Sequence, residues 1–144
     1  MCYALRPAVP GTITDSPGVD WSRRPVQIEK LVYTFEGWLD DPLLTSTPVF
    51  IVTADLAAAI RLGGFTGVTF DEVEIAVTEE FVERYPEIEL PEYRWLKVHG
   101  LPCRDDVGLL NHVIVVSQRM LDLLRSRGLS HATVSKLDKA FWAL

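Results

Sequence analysis

One stretch of the chain occurs twice. VFIVTADLAAAIRLGGFTGVTF, at residues 49–70, aligns without a gap with VIVVSQRMLDLLRSRGLSHATV, at residues 113–134, at a spacing of 64. Each copy opens on an apolar β-branched run, Val49–Val52 or Val113–Val116, as expected of a strand covered on both faces. A hydroxyl residue follows, Thr53 or Ser117, where a helix needs an acceptor for its free N–H groups. Asp55 suits the positive end of the first helix, and Arg125 and Arg127 the negative end of the second. Leu56, Ala59, Ile60 and Gly63 fall on one helical face in the first copy. Met120, Leu121, Leu123 and Leu124 do so in the second. Gly63 and Gly64, and Gly128, are the helix stops.

This repeat predicts an α+β (or α/β) fold. The expected form is a single domain with two duplicated β-α-β units and a mixed sheet. A helix of nine residues is short for a parallel crossover, which usually takes a dozen residues or more. Two copies are too few to stack as a solenoid.

The remainder divides by its punctuation. Residues 1–25 carry Pro7, Pro10, Pro17 and Pro25, and predict an extended N-terminal arm packing through Tyr3, Leu5 and Trp21. Residues 26–144 are the expected domain. Val26–Phe35 is β-rich and predicts a strand, although Leu31 and Val32 break its alternation. Glu36 to Thr47 and Gly100 to Asn111 are polar and predict loops, the first anchored by Leu43 and Leu44. Val68–Ile75 and Ala132–Leu137 predict strands. Thr78 caps a short helix in TEEFVERY that Pro86 stops. Tyr93–Val98 alternates cleanly. Phe141 and Trp142 of the tail are expected to dock on the body.

Charge and composition narrow the function. The 144 residues carry a net charge of −6, which disfavours nucleic acid as a partner. No run of about 18 apolar residues predicts a membrane span, and the N-terminus lacks the pattern of a signal peptide. Cys2 and Cys103 form no CxxC motif and stand far apart, so reduced thiols in a cytoplasmic protein are expected.

Each copy is preceded by a double aspartate, Asp40–Asp41 in WLDDPLL and Asp105–Asp106 in CRDDVGLL. Convergence of four carboxylates would suit a hard cation or a basic partner. Aspartates in turns also accept bonds from nearby backbone N–H groups, and that structural role is the expected one. His99, His112 and His131 lack metal-ligand spacing; His112 adjoins the second aspartate loop. Ser117 sits in VVSQR, outside the nucleophile-elbow pattern, and Thr53 shares its position, so capping explains both. GGFTG at Gly63–Gly67 ends a helix, whereas a phosphate cradle precedes one. No cofactor, metal or catalytic set is assigned. Glu79, Glu80, Glu83, Glu87, Glu89 and Glu92 form an acidic stretch, and Trp38 is a candidate interface anchor.

FEGWLDDPLL, PVFIVTADLAAAI with FTGVTF, LPEYRWLKVHG, RDDVGLL and the second repeat together resemble the DUF1629 or immunity-protein 11 type of bacterial protein, found beside polymorphic toxin systems. The resemblance spans residues 35–137. It implies a small non-enzymatic protein-binding module that neutralises a cognate toxin. Some relatives carry paired CxxC motifs; this chain has none, so that metal-binding variant is not transferred. The expected partner surface comprises Trp38, Asp40, Asp41, Glu79, Glu80, Glu83, Asp105, Asp106 and His112. Two alternatives stand beside it. One is a small metal-dependent enzyme or ligand-binding protein using the paired aspartates, and the other is a homo-oligomeric scaffold.

Overall fold

A computed structural model describes residues 2–137 apart from Asp15 and Arg24; the tail with Phe141 and Trp142 lies outside the described residues. In chain order the strands and helices are β1 (Cys2–Arg6), β2 (Gly11–Thr12), β3 (Gly18–Asp20), β4 (Gln27–Lys30), β5 (Val32–Phe35), β6 (Leu43–Ser46), β7 (Val49–Thr53), α1 (Ala54–Leu62), β8 (Val68–Asp71), β9 (Glu74–Val77), α2 (Glu79–Arg84), β10 (Tyr93–Val98), β11 (Val107–Leu110), β12 (Val113–Ser117), α3 (Gln118–Ser126) and β13 (Thr133–Leu137). The class is α+β: mostly strand, in four sheets, with three short helices.

The two larger sheets are built alike. One has the order β6-β7-β10-β8 and the other β11-β12-β1-β13. In each, a tight hairpin leads into a helix, and the helix leads to a strand one place removed from the hairpin. β7 and β8 are both antiparallel to β10, so they run the same way without touching. β12 and β13 flank β1 in the same manner. The strand–helix–strand path therefore closes around an intervening strand, which makes room for a short helix.

All three N-caps are where the sequence places them. Thr53, Thr78 and Ser117 accept from the N–H of Leu56, Phe81 and Met120 at 3.3, 3.1 and 3.2 Å. Gly64 and Gly128 adopt positive φ beyond the helix ends, conformations that a Cβ would strain.

Four expectations fail for identifiable reasons. Val26–Phe35 is two strands, and the break falls at Leu31, where the alternation fails; β4 pairs with β3, whereas β5 joins β2 and β9. Val68–Ile75 divides likewise, β8 and β9 belonging to different sheets. The two expected loops contain β6 and β11, the first arms of hairpins whose second arms open the repeats. Asn111 and His112 make the second hairpin turn with φ of 48° and 66°, the pair of positive values that a two-residue type I′ turn needs. Finally, the N-terminal stretch supplies β1, an interior strand. Its first proline is Pro7, one residue after β1 ends, so nothing in Cys2–Arg6 removes a ladder donor.

The apolar side chains form two cores. Inward residues of both large sheets, with Leu56, Ala57 and Ile60 of α1 and Met120, Leu121 and Leu124 of α3, make the first. The opposite face of β6, β7 and β10 presents Leu44, Val49, Ile51, Tyr93 and Trp95 to the second, which also holds Tyr33, Phe35 and Phe81. Sheet β6-β7-β10-β8 thus lies between two apolar layers. On the matching face of the other sheet, Leu101 and Pro102 lie against the backbone of Gly108, where a Cβ would meet the Pro102 nitrogen at 2.4 Å.

The same connection carries a disulfide between Cys103 and Cys2, with Cα atoms 5.3 Å apart, within the usual bridging range. This corrects the expectation of two reduced thiols: 101 residues of separation in sequence vanish because β1 is folded into the sheet beside that loop. Among the described residues no helix is long and apolar enough to cross a membrane. Replacing both cysteines by serine is expected to lower stability by about 2–4 kcal/mol, because the link closes a long loop of the unfolded chain. Urea unfolding of the oxidised and serine proteins measures this.

Candidate functional site

The paired aspartates are the first place to look, and the structure puts three of the four to internal use. Asp41 is buried, with 2% of its surface exposed. It accepts from the backbone N–H and hydroxyl of Ser130 at 3.3 and 2.9 Å, and from the N–H of His131 at 2.8 Å. His131 Nδ1 is 2.9 Å from the same carboxylate. Burial by itself would push the Asp41 carboxyl up, but the bonds from His131 and Ser130 outweigh it and hold it below its ordinary value.

Asp106 has the corresponding task on the other side of the molecule. It forms a bidentate pair with Arg119, Nε at 2.9 Å and Nη2 at 2.8 Å, and accepts from the Thr66 N–H at 3.0 Å and the Ser117 hydroxyl at 2.7 Å. The Arg119 guanidinium, helped by Ser117 and Thr66, holds this carboxyl far below the usual range. Arg119 also donates to the carbonyls of Gly63 and Gly64 at the end of α1, and covers the Phe65 ring at 4.1 Å. Asp105 accepts from the Leu101 N–H at 2.7 Å and so shapes its own loop. Each clamp joins the start of one hairpin to the turn beyond the helix that follows the other hairpin.

The two clamps share no partner. Among the described residues, no group of three or more His, Cys, Asp or Glu side chains is arranged to hold a metal. Asp41 and Asp106, two of the carboxylates that a hard cation would need, instead each accept from several N–H and O–H donors. Sequence reasoning assigned Thr53 and Ser117 correctly. It missed Arg119 and His131, the partners that make the aspartates structural, because their contacts join residues 13 and 90 positions apart.

The other candidates lie elsewhere. Trp38 is half-buried and packs on Phe35 of the second core, ring centroids 6.1 Å apart. Asp40 is exposed beside it in sequence. His112 occupies a hairpin tip on the rim of an apolar groove of about 460 Å³, between Trp21, Phe50 and Val98. A second cleft, of about 540 Å³, is lined by Glu29, Asp71, Glu72, Glu74 and Glu92; Lys97, Lys30 and Arg94 pair with Asp71, Glu74 and Glu92 there.

Glu79, Glu80 and Glu83 are on α2, which buries Phe81 and turns all three carboxylates to solvent. Among the described residues, these and Glu87 and Glu89 make no ion pair. Val77, Val82 and Ile88, 39%, 54% and 39% exposed, are interspersed with them. Unlike the aspartate clamps, this surface combines unspent charge with exposed apolar area. No family model matches the chain, and no curated protein sequence matches it.

Replacing Asp41 by alanine removes the buried acceptor that ties down Ser130 and His131 and is expected to cost about 2 kcal/mol, against about 0.5 kcal/mol or less for Asp40→Ala. Denaturant midpoints compare them. Both clamp carboxyls are depressed in the folded protein. Their contribution is therefore complete above the ordinary aspartate range, near pH 4, and is lost as pH falls through the folded values. Thermal unfolding from pH 6 to pH 2 should show that loss, with a shallower slope in Asp106→Ala.

Proposed function

We propose that the protein is a non-enzymatic binding module that neutralises a basic protein partner, in the manner of an immunity protein acting on a bacterial toxin. The acidic and apolar surface of α2 and the segment after it carries this reading. Five glutamates that make no ion pair among the described residues, beside Val77, Val82 and Ile88, offer charge for steering and apolar area for retention. The resemblance to the immunity-protein 11 type supports the same role. The use of Asp41 and Asp106 as acceptors for several internal donors weighs against the metal-dependent alternative. The disulfide favours a compartment that keeps such bonds oxidised over the reducing cytoplasm expected from sequence.

The scaffold beneath this surface reads as a duplication. β6 and β7 pair Leu43 with Val52 and Ser46 with Val49, whereas β11 and β12 pair Val107 with Val116 and Leu110 with Val113, every position displaced by 64. The spacing found in the repeated stretch thus recurs in hydrogen-bonding register, upstream of the stretch itself.

The test is co-expression with the product of the gene immediately upstream, which this proposal requires to be a toxin. Wild-type protein should restore growth and co-purify with it. Glu79→Lys with Glu80→Lys and Glu83→Lys should weaken the complex at least tenfold, by about 1.4 kcal/mol or more, and leave the unfolding temperature unchanged. Undiminished binding by the triple variant would remove the acidic surface from the proposal.

A further inference from the structure

We infer that β1 is the second unit's equivalent of β10, so that the protein has two matching four-stranded units, one of them assembled from strands far apart in the sequence. The inference rests on the duplicated scaffold and not on the acidic surface.

Three observations lead to it. The first is register. In β10, Trp95 lies opposite Ile51 on one side and Asp71 on the other, and Leu96 lies opposite Phe50 and Phe70. In β1, Ala4 lies opposite Val115 and Ser135, and Leu5 opposite Ile114 and Val134. The flanking partners differ by 64 in all four comparisons. A strand added independently could run in either direction and in several registers, and a slip by one residue would turn its buried side chains outward. β1 matches β10 in direction and in register on both edges.

The second is the first core. Of its fourteen buried residues, twelve pair off at a spacing of 64: Leu43 with Val107, Phe50 with Ile114, Val52 with Val116, Leu56 with Met120, Ala57 with Leu121 and Ile60 with Leu124. The two left over are Leu5 and Leu96, the inward residues of β1 and β10.

The third is connectivity. In the first unit, residues 72–92 carry the chain from the end of β8 to the start of β10. In the second, the last residue of β13, Leu137, lies directly opposite Cys2 at the start of β1. The end of one strand and the start of the next are again antiparallel neighbours.

It follows that β1 belongs to the cooperative unit that includes β10, although terminal strands ordinarily fray. Amide hydrogen exchange tests this on the full-length protein carrying Cys2→Ser and Cys103→Ser, so that no covalent bond protects the strand. The amides of β1 should be protected to within about tenfold of those of β10, both reporting global opening. A larger gap, with β1 exchanging first while β12 stays protected, would overturn the inference and return β1 to the status of an appended arm. If the serine protein does not fold, oxidised Leu5→Ala decides. Loss of protection in β6 and β7 as well as in β12 and β13 supports equivalence, and loss confined to β12 and β13 refutes it. Binding by the charge-reversal variants is independent of either outcome.

Discussion

The two larger sheets and their helices depend on one apolar layer that they share. Leu43, Phe50 and Val52 of one and Val107, Ile114 and Val116 of the other bury their inward side chains with α1 and α3 in a common core. A four-stranded sheet with one apolar face is unstable in water unless something covers it. Here each sheet and its helix contribute to the same cluster. The helices are nine residues each, too short to persist alone, and their order comes from burying Leu56, Ala57 and Ile60 or Met120, Leu121 and Leu124.

The polar residues enforce the same union. Asp41 and Asp106 look alike in sequence, and each sits just before a hairpin. Each accepts from a hydroxyl residue in the turn beyond the helix that follows the other hairpin, Ser130 for Asp41 and Thr66 for Asp106. A buried carboxylate with several N–H and O–H donors is satisfied in one arrangement of those loops and costly in any other. The clamps therefore fix how the two large sheets and their helices meet, whereas the apolar core supplies most of the attraction. This leaves the surface glutamates of α2 as charge with no internal duty.

Much of the scaffold was legible in the residues, and the reason is local. Caps, glycine stops and helix faces depend on neighbours three or four positions away, so Thr53, Ser117, Thr78, Gly64 and Gly128 could be read directly. The alternation of Tyr93–Val98 correctly divided Tyr93 and Trp95 from Leu96 and Val98. What escaped was non-local. β6 and β11 are four residues each and lie among turn formers, so composition alone suggested loops. β1 precedes a proline-rich stretch whose character obscured it. Nothing near Cys2 points to Cys103, and nothing near Asp41 points to His131. For the candidate site, the acidic character of Glu79, Glu80 and Glu83 was visible from the start, but its distinction from the aspartate pairs required knowing which carboxylates already had donors.

The outer faces of the two sheets carry a last consequence. Where one unit has Leu44, Ile51 and Trp95 under a second apolar core, the positions 64 away or in matching register are Gly108, Val115 and Ala4. Small residues there leave space for a single turn of chain, Leu101 to Cys103, in place of a whole layer. That turn has little apolar area with which to hold itself down, and Leu101 remains 58% exposed. A covalent link does for this side what a hydrophobic layer does for the other. The two flanks are thus held differently: a reductant removes the covalent hold on one, and the other contains no such bond to lose.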